Sequence, residues 1–146
     1  MDVNSNSKTV DAKFHESKFH DIAHFGIRLA LGAIFIVHGI AKFDPMFGSF
    51  LPQMGVPAEM QIPIALAELI PGIFLIVGIL SRLSSSLLSI IMLGAIFYVK
   101  QASGLTGDMG VEFELILLAS NLVIIVAGPG RISLSHTAKR IPRFLQ

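Results

Sequence analysis

The sequence predicts an all-α protein: a four-transmembrane-helix up-and-down bundle with both termini cytoplasmic. Three observations predict it. The 146 residues are 53% hydrophobic and only 14% charged, whereas a soluble domain of this size carries closer to a quarter charged residues. The hydrophobic residues gather into four runs, about 22–43, 62–80, 83–99 and 111–127. Each is long enough, or nearly so, to cross about 30 Å of hydrocarbon as a helix. Lysine and arginine are also sorted by side. Lys8, Lys13, Lys18, Arg28, Arg82, Arg131, Lys139, Arg140 and Arg143 fall on one side of a four-span chain, and only Lys42 and Lys100 on the other. Positive charge is retained inside, so the first group marks the cytoplasm and the loops 44–61 and 100–110 lie outside.

Residues 1–21 form a polar, partly disordered amino-terminal segment, rich in Asn, Ser and Lys at its start. Phe14, Phe19, Ile22 and Phe25 then build a patchy apolar face, suited to a short surface helix leading into the bilayer. No small-residue cleavage site follows the first run, so it is expected to stay as the first membrane helix. Asp44-Pro45 ends it, because the residue before proline is pushed to extended geometry. In the outer loop Met46, Phe47, Phe50, Leu51 and Met54 recur at helical spacing, which suits a segment lying in the interface.

Pro57 fits the first turn of the next helix. Mid-span, Pro71 has no N–H to offer the carbonyl near Ala67, so a kink is expected there. Ser81-Arg82 is a link short enough to make the second and third helices antiparallel neighbours. Ser84, Ser85, Ser86 and Ser89 then allow close packing of the third helix. Gly128-Pro129-Gly130 stops the fourth helix. Residues 131–146 form a basic cytoplasmic tail, leaving 22–130 as the membrane domain.

Cysteine is absent, which excludes thiol exchange, thiolate ligation and protein-held iron–sulfur clusters. Nucleic acid is not an expected partner. The basic tails are better matched to anionic membrane lipid.

Ionisable residues inside the runs carry the functional signal. A charge in lipid costs about 2.5 kcal/mol or more, so it faces a partner or a polar cavity. At 100° per residue Arg28, His38 and Lys42 share an arc of about 80° on the first helix. Glu68 enters from outside on the second helix, about 9 Å deep at 1.5 Å per residue, level with His38. Glu112 and Glu114 open the fourth helix on the same side, where negative charge also suits a helix N-terminus. Tyr98 and Lys100 end the third there, and Asn121 lies nearer mid-bilayer.

The expectation is one outward-facing polar pocket. Glu68 and His38 form a proton relay in it, and Lys42, Glu112, Glu114, Tyr98 and Asn121 are ligand-binding candidates. The competing structural reading is a Lys42–Glu68 pair that only fixes helix register. Glu112 and Glu114 would then snorkel to the surface, as Arg28 would at the inner end unless it bonds serines.

No metal is expected. His20 and His24 have the i, i+4 spacing of two ligands, with His15 and Glu16 nearby. Met46, Met54, Met60 and Met109 are thioethers of a kind that suits Cu(I). Nothing further supports either set. Gly26, Gly32 and Gly39 are close-packing points between helices and do not form a phosphate loop.

An ordered set of short motifs is similar to DoxX-type membrane proteins. It begins at Arg28-Leu29-Ala30-Leu31-Gly32 and continues through His38-Gly39-Ile40-Ala41-Lys42-Phe43 and Met54-Gly55-Val56-Pro57. Ala67-Glu68-Leu69 with Gly72, Gly78-Ile79-Leu80-Ser81-Arg82 and Gly128-Pro129-Gly130-Arg131-Ile132-Ser133-Leu134 complete it. One departure is Ser135, where many such proteins carry an acidic residue.

The resemblance implies a multi-pass protein of the cell membrane. It also implies an association with membrane oxidoreductase complexes, one of them quinone-linked. Quinone is the cofactor it suggests, no cofactor being intrinsic to this chain. Two further roles remain open: a non-catalytic membrane scaffold for a partner protein or redox subunit, and a small proton-coupled transporter acting as a homo-oligomer.

Overall fold

The computed structural model describes residues 18–137. The polar segment up to residue 17, with His15 and Glu16, lies outside the described residues, as does the tail beyond residue 137. Among the described residues every regular element is helical.

The first helix, α1, runs Lys18–Ala41 without a break. It starts four residues before the predicted membrane run, so Phe19, Ile22 and Phe25 belong to it, while Phe14 lies outside the described residues. Asp44 accepts a hydrogen bond from Met46 N at 2.8 Å and caps α2, Pro45–Phe50, whose fixed proline φ suits a first turn. Two 3-10 turns follow, Leu51–Met54 and Ala58–Met60.

The next helix, α3, spans Gln61–Val77 as one continuous element with Pro71 inside it. It ends at Gly78, whose φ of 75° supplies the left-handed cap. The turn to α4 is Gly78-Ile79-Leu80, and Ser81-Arg82 already belong to α4, Ser81–Gly94. From Ala95 to Val99 this helix widens into a π-helical turn. The last long helix is α5, Glu112–Ala127, and a short α6 covers Leu134–Thr137.

Three helical segments are long and apolar enough to cross a membrane: Lys18–Ala41, Ala58–Val77 and Ser81–Val99. With 16 residues, α5 reaches about 24 Å, short of the hydrocarbon thickness.

Small residues determine how the helices meet. A side chain at Gly32 would strike the Gly72 carbonyl oxygen at 2.6 Å, and one at Gly39 would strike Leu69 N at 2.8 Å and Ala65 O at 2.9 Å. Both glycines therefore let α1 and α3 touch backbone to backbone. Gly26 faces open space and is no packing point. On α4, Ser81, Ser84, Ser85 and Ser89 are buried, and Ser89 returns its hydroxyl to the Ser85 carbonyl at 2.7 Å. The result is two tight pairs, α1 with α3 and α4 with α5, joined through α3 and α4, with little contact between α1 and α5. Leu31, Phe35, Leu75, Leu88, Met92, Leu117 and Ile124 form the core between the pairs.

Candidate functional site

The close approach at Gly39 sets the site. One turn further along the chain, just past the end of α1, is Lys42, and beside Leu69 on α3 is Glu68. Their side chains meet at 2.7 Å. The Glu68 side chain is 3% exposed and that of Lys42 19%, so the pair is largely removed from water. Gln61 holds the ends of the two helices together. Its Nε2 donates to the Lys42 carbonyl at 3.0 Å and to the Asp44 carbonyl at 2.8 Å.

The pair faces a cavity of about 530 Å³. Its floor is the top of the core, Phe35, Met92 and Leu117. One wall comes from His38 and Lys42 of α1 with Ile64, Ala67 and Glu68 of α3. The other comes from Ile91, Ala95 and Tyr98 of α4 with Phe113 and Glu114 of α5. Phe47, Leu51, Met54, Val56 and Met60 close over it from the α1–α3 connection. The sequence reading assigned this connection to the interface. The structure folds one of its faces inward and leaves Met46 and Phe50 on the other.

The Pro71 ring leaves the Ala67 carbonyl without its usual helical donor, and Ala67 lines the cavity. The π turn widens α4 at Ala95 and Tyr98, where the helix becomes cavity wall. Single π turns of this kind often sit at functional sites.

The predicted residues separate into those that gather and those that do not. Lys42, Glu68, His38, Glu114 and Tyr98 all line the cavity. His38 is exposed, and its ring stacks on Phe113 with centroids 5.8 Å apart; the recorded partner of Glu68 is Lys42. Tyr98 is at the rim, 72% exposed. Glu112 is exposed and not among the lining residues. Asn121 is fully buried on α5, below the cavity, where its Nδ2 donates to the Leu117 carbonyl at 2.9 Å.

Two partners were missed in the sequence. Phe113 lies between two glutamates and drew no attention beside them. Lys100 donates to Glu114 at 2.8 Å and to the Gly110 carbonyl at 2.5 Å, so the loop after α4 folds back onto α5.

Arg28 departs most from expectation. It does not snorkel. It is fully buried, donates through Nη2 to the Ile132 carbonyl and lies 5.6 Å from the Phe25 ring centroid. Among the described residues no three histidine or acidic side chains gather as a metal site.

The family model described as DoxX matches residues 23–101, a stretch holding α1, α3, α4 and the Lys42–Glu68 pair. This chain belongs to the DoxX family. A protein of Bacillus subtilis (strain 168) named "Putative oxidoreductase CatD" is 32% identical over 114 residues, 77% of this chain and 84% of that protein. A Mycobacterium tuberculosis (strain ATCC 25618 / H37Rv) protein named "Uncharacterized membrane protein Rv3486" is 31% identical over 126 residues, 75% of this chain and 77% of its own. No solved structure matches significantly. This DoxX protein is thus a membrane protein whose long apolar helices contact lipid. The family match ends at residue 101, so Glu114 and Phe113, on the opposite wall, lie outside it.

Proposed function

We propose that this DoxX protein is a quinone-interacting accessory subunit of a membrane oxidoreductase complex in the cell membrane. In this reading residues 22–130 cross the bilayer four times, the cavity opens toward the outer face, and both termini are cytoplasmic. The sorting of basic residues supports that orientation. The fourth crossing is α5, extended at its ends by interfacial residues or met by local thinning of the bilayer.

The observation that carries the proposal is a buried, paired Lys42–Glu68 in a cavity walled, apart from His38 and Glu114, mainly by aliphatic and aromatic side chains. Both carboxylates lining the cavity already have lysine partners, Lys42 and Lys100. A ligand that brought its own charge would have to break one of these pairs. An uncharged, flat, largely apolar molecule with one or two oxygen acceptors fits the lining without that cost. The size also fits, since sites for small molecules span about 300–1,000 Å³.

A quinone supplies two-electron, two-proton carrier chemistry when bound. The residues' part is positional and protonic. Phe113 and Phe47 offer flat faces to a ring. Lys42 Nζ donates to a ligand oxygen while still held by Glu68. His38, exposed at the rim, exchanges protons with water and passes them inward. Glu68 holds the lysine in position beside the cavity. Electrons come from a partner redox protein, because the chain's own residues supply no redox group.

The test is purification in mild detergent, extraction of bound lipid-soluble molecules, and titration with a short-chain quinone followed by quenching or calorimetry. Retained quinone, with affinity reduced at least about tenfold by Glu68→Gln, supports the reading; a tenfold change is about 1.4 kcal/mol. Wild-type protein that neither retains nor binds quinone would sink it and favour the scaffold role.

A further inference from the structure

The cavity beside Lys42 and Glu68 is walled by α1, α3, α4 and α5, and a seam runs between each helix and the next. Three of these seams are bridged at the level of the cavity. The end of α1 is held to α3 by the ion pair itself and by Gln61. On the far wall Lys100, just past α4, donates to Glu114 of α5 at 2.8 Å. Between α1 and α5, His38 stacks on Phe113. The fourth seam, between α3 and α4, has no such bridge: among the described residues no side-chain hydrogen bond, ion pair or ring contact joins the two helices.

Residues along this fourth seam line the cavity and face outward at once. Met60 and Pro63 on the α3 side, and Tyr98 and Val99 on the α4 side, belong to the cavity wall and are themselves exposed. One turn from Tyr98 is Gly94, half-buried in the same wall. A side chain added at Gly94 would meet nothing within 4 Å. The wall therefore has a notch there, directly before the π turn.

This notch is within the apolar segments. Gly94 comes five residues before the end of Ser81–Val99, and Pro63 five residues after the start of Ala58–Val77. At 1.5 Å per residue both stand about 7.5 Å inside their segments, so an opening between them meets lipid in a bilayer-crossing helix pair.

We infer that the α3–α4 seam at Gly94 is a side entrance from the bilayer, and that the ligand it admits is a quinone with a long isoprenoid tail, a role that rests on the quinone reading of the cavity and adds to it the route and the tail-bearing class. The ring reaches Lys42 and Glu68, and the tail stays in the seam across Gly94. A cavity of about 530 Å³ suits a ring with short substituents, so a longer chain has to leave it. The α3–α4 seam is the exit that breaks no polar or ring contact. Its lips are apolar apart from the Tyr98 phenol, which matches a hydrocarbon chain.

The experiment uses the full chain in lipid nanodiscs and two benzoquinones with one head group, one tailless and one with a long isoprenoid tail, together with two naphthoquinones matched in the same way. Gly94→Leu fills the notch, and the open space around Gly94 allows it to fold, which circular dichroism checks. Each ligand is compared with itself between variants, so its partition into the bilayer cancels. Gly94→Leu is expected to weaken the long-tailed form several-fold and leave the tailless form unchanged. Ile90→Phe, on an exposed position outside the cavity wall, is expected to change neither. If wild type binds the tailless form and Gly94→Leu treats both forms alike, the entrance is overturned and the quinone reading stands. If wild type binds neither form, both fall.

The chain has no cysteine, so a nitroxide on Gly94→Cys reads the notch directly. In liposomes the label is expected to collide with oxygen dissolved in lipid and not with a water-soluble nickel complex. Long-tailed quinone is expected to reduce the oxygen collisions, and tailless quinone to leave them unchanged. A label reached by the nickel complex, or insensitive to the tail, overturns the side entrance.

Discussion

Lys42 on α1 and Glu68 on α3 hold each other at 2.7 Å inside an apolar cavity. Each has one recorded charged partner, the other. Removing either one strands a charge in low dielectric, which costs on the order of 3 kcal/mol, whereas removing both together is close to neutral. Lys42→Met alone is therefore expected to lower stability strongly, and Lys42→Met with Glu68→Leu to recover most of it. Thermal unfolding in detergent, run as a double-mutant cycle, measures the coupling. Single and double variants of equal stability would mean the pair contributes nothing.

A methyl group tests the helix seam. At Gly39 it would meet α3 backbone below 3 Å, and backbone cannot step aside as a side chain can. Gly39→Ala is expected to cost about 1–3 kcal/mol. Gly26 has nothing within 4 Å, so Gly26→Ala is expected to be neutral or to stabilise α1 by up to about 1 kcal/mol. The same unfolding measurement separates the two, and equal effects would contradict the seam.

The π turn at Ala95–Val99 carries one residue more than an α-helix needs for the same rise. Deleting Phe97, 62% exposed, removes that extra residue and is expected to restore α geometry while the segment from Lys100 onward stays close to its present register. The helix would draw in where Ala95 and Tyr98 form the cavity wall, and Lys100 would keep Glu114. Circular dichroism should be unchanged while quinone titration weakens. Binding at full strength would show that the widened turn does not shape the site.

Ser135 donates its backbone N–H to the Gly78 carbonyl at 3.2 Å, and Gly78 also packs against the Arg28 guanidinium. The Ser135 hydroxyl is buried without a partner, as are two Arg28 nitrogens. Ser135→Asp places a carboxylate in this neighbourhood, and charge-assisted bonds of this kind contribute about 1.5–3 kcal/mol. The variant is expected to unfold at higher temperature than wild type at neutral pH. In an Arg28→Met background the same substitution is expected to destabilise. Stabilisation in both backgrounds would disconnect the two positions.

Hydrophobic periodicity located the long helices, with α5 predicted at 111–127 and found at Glu112–Ala127. Helical spacing also placed His38, Lys42 and Glu68 at one level, because rise and rotation per residue are fixed by the backbone. What spacing could not convey was azimuth between helices. Glu112 looked equivalent to Glu114 in one dimension, and only packing turned Glu114 toward the cavity. Arg28 was read as a snorkelling residue because its depth suggested it. Its burial comes from Gly78, Ile132 and Ser133 converging from two distant parts of the chain, a contact that no local pattern encodes. The outer connection gave its helical repeat correctly, but a repeat alone does not say whether its apolar side meets lipid or protein.

The Gly32–Gly72 and Gly39–Leu69 contacts divide the molecule mechanically. Where two backbones touch, there are no side-chain rotamers to take up a displacement, so α1 and α3 form a stiff beam. On the far side of the cavity, α4 and α5 are attached to that beam through the α3–α4 contact and the shared apolar core. Swelling of the cavity to admit an occupant must therefore appear as a swing of the α4–α5 arm. Spin labels across α1 and α5 should record that swing, and labels across α1 and α3 should not.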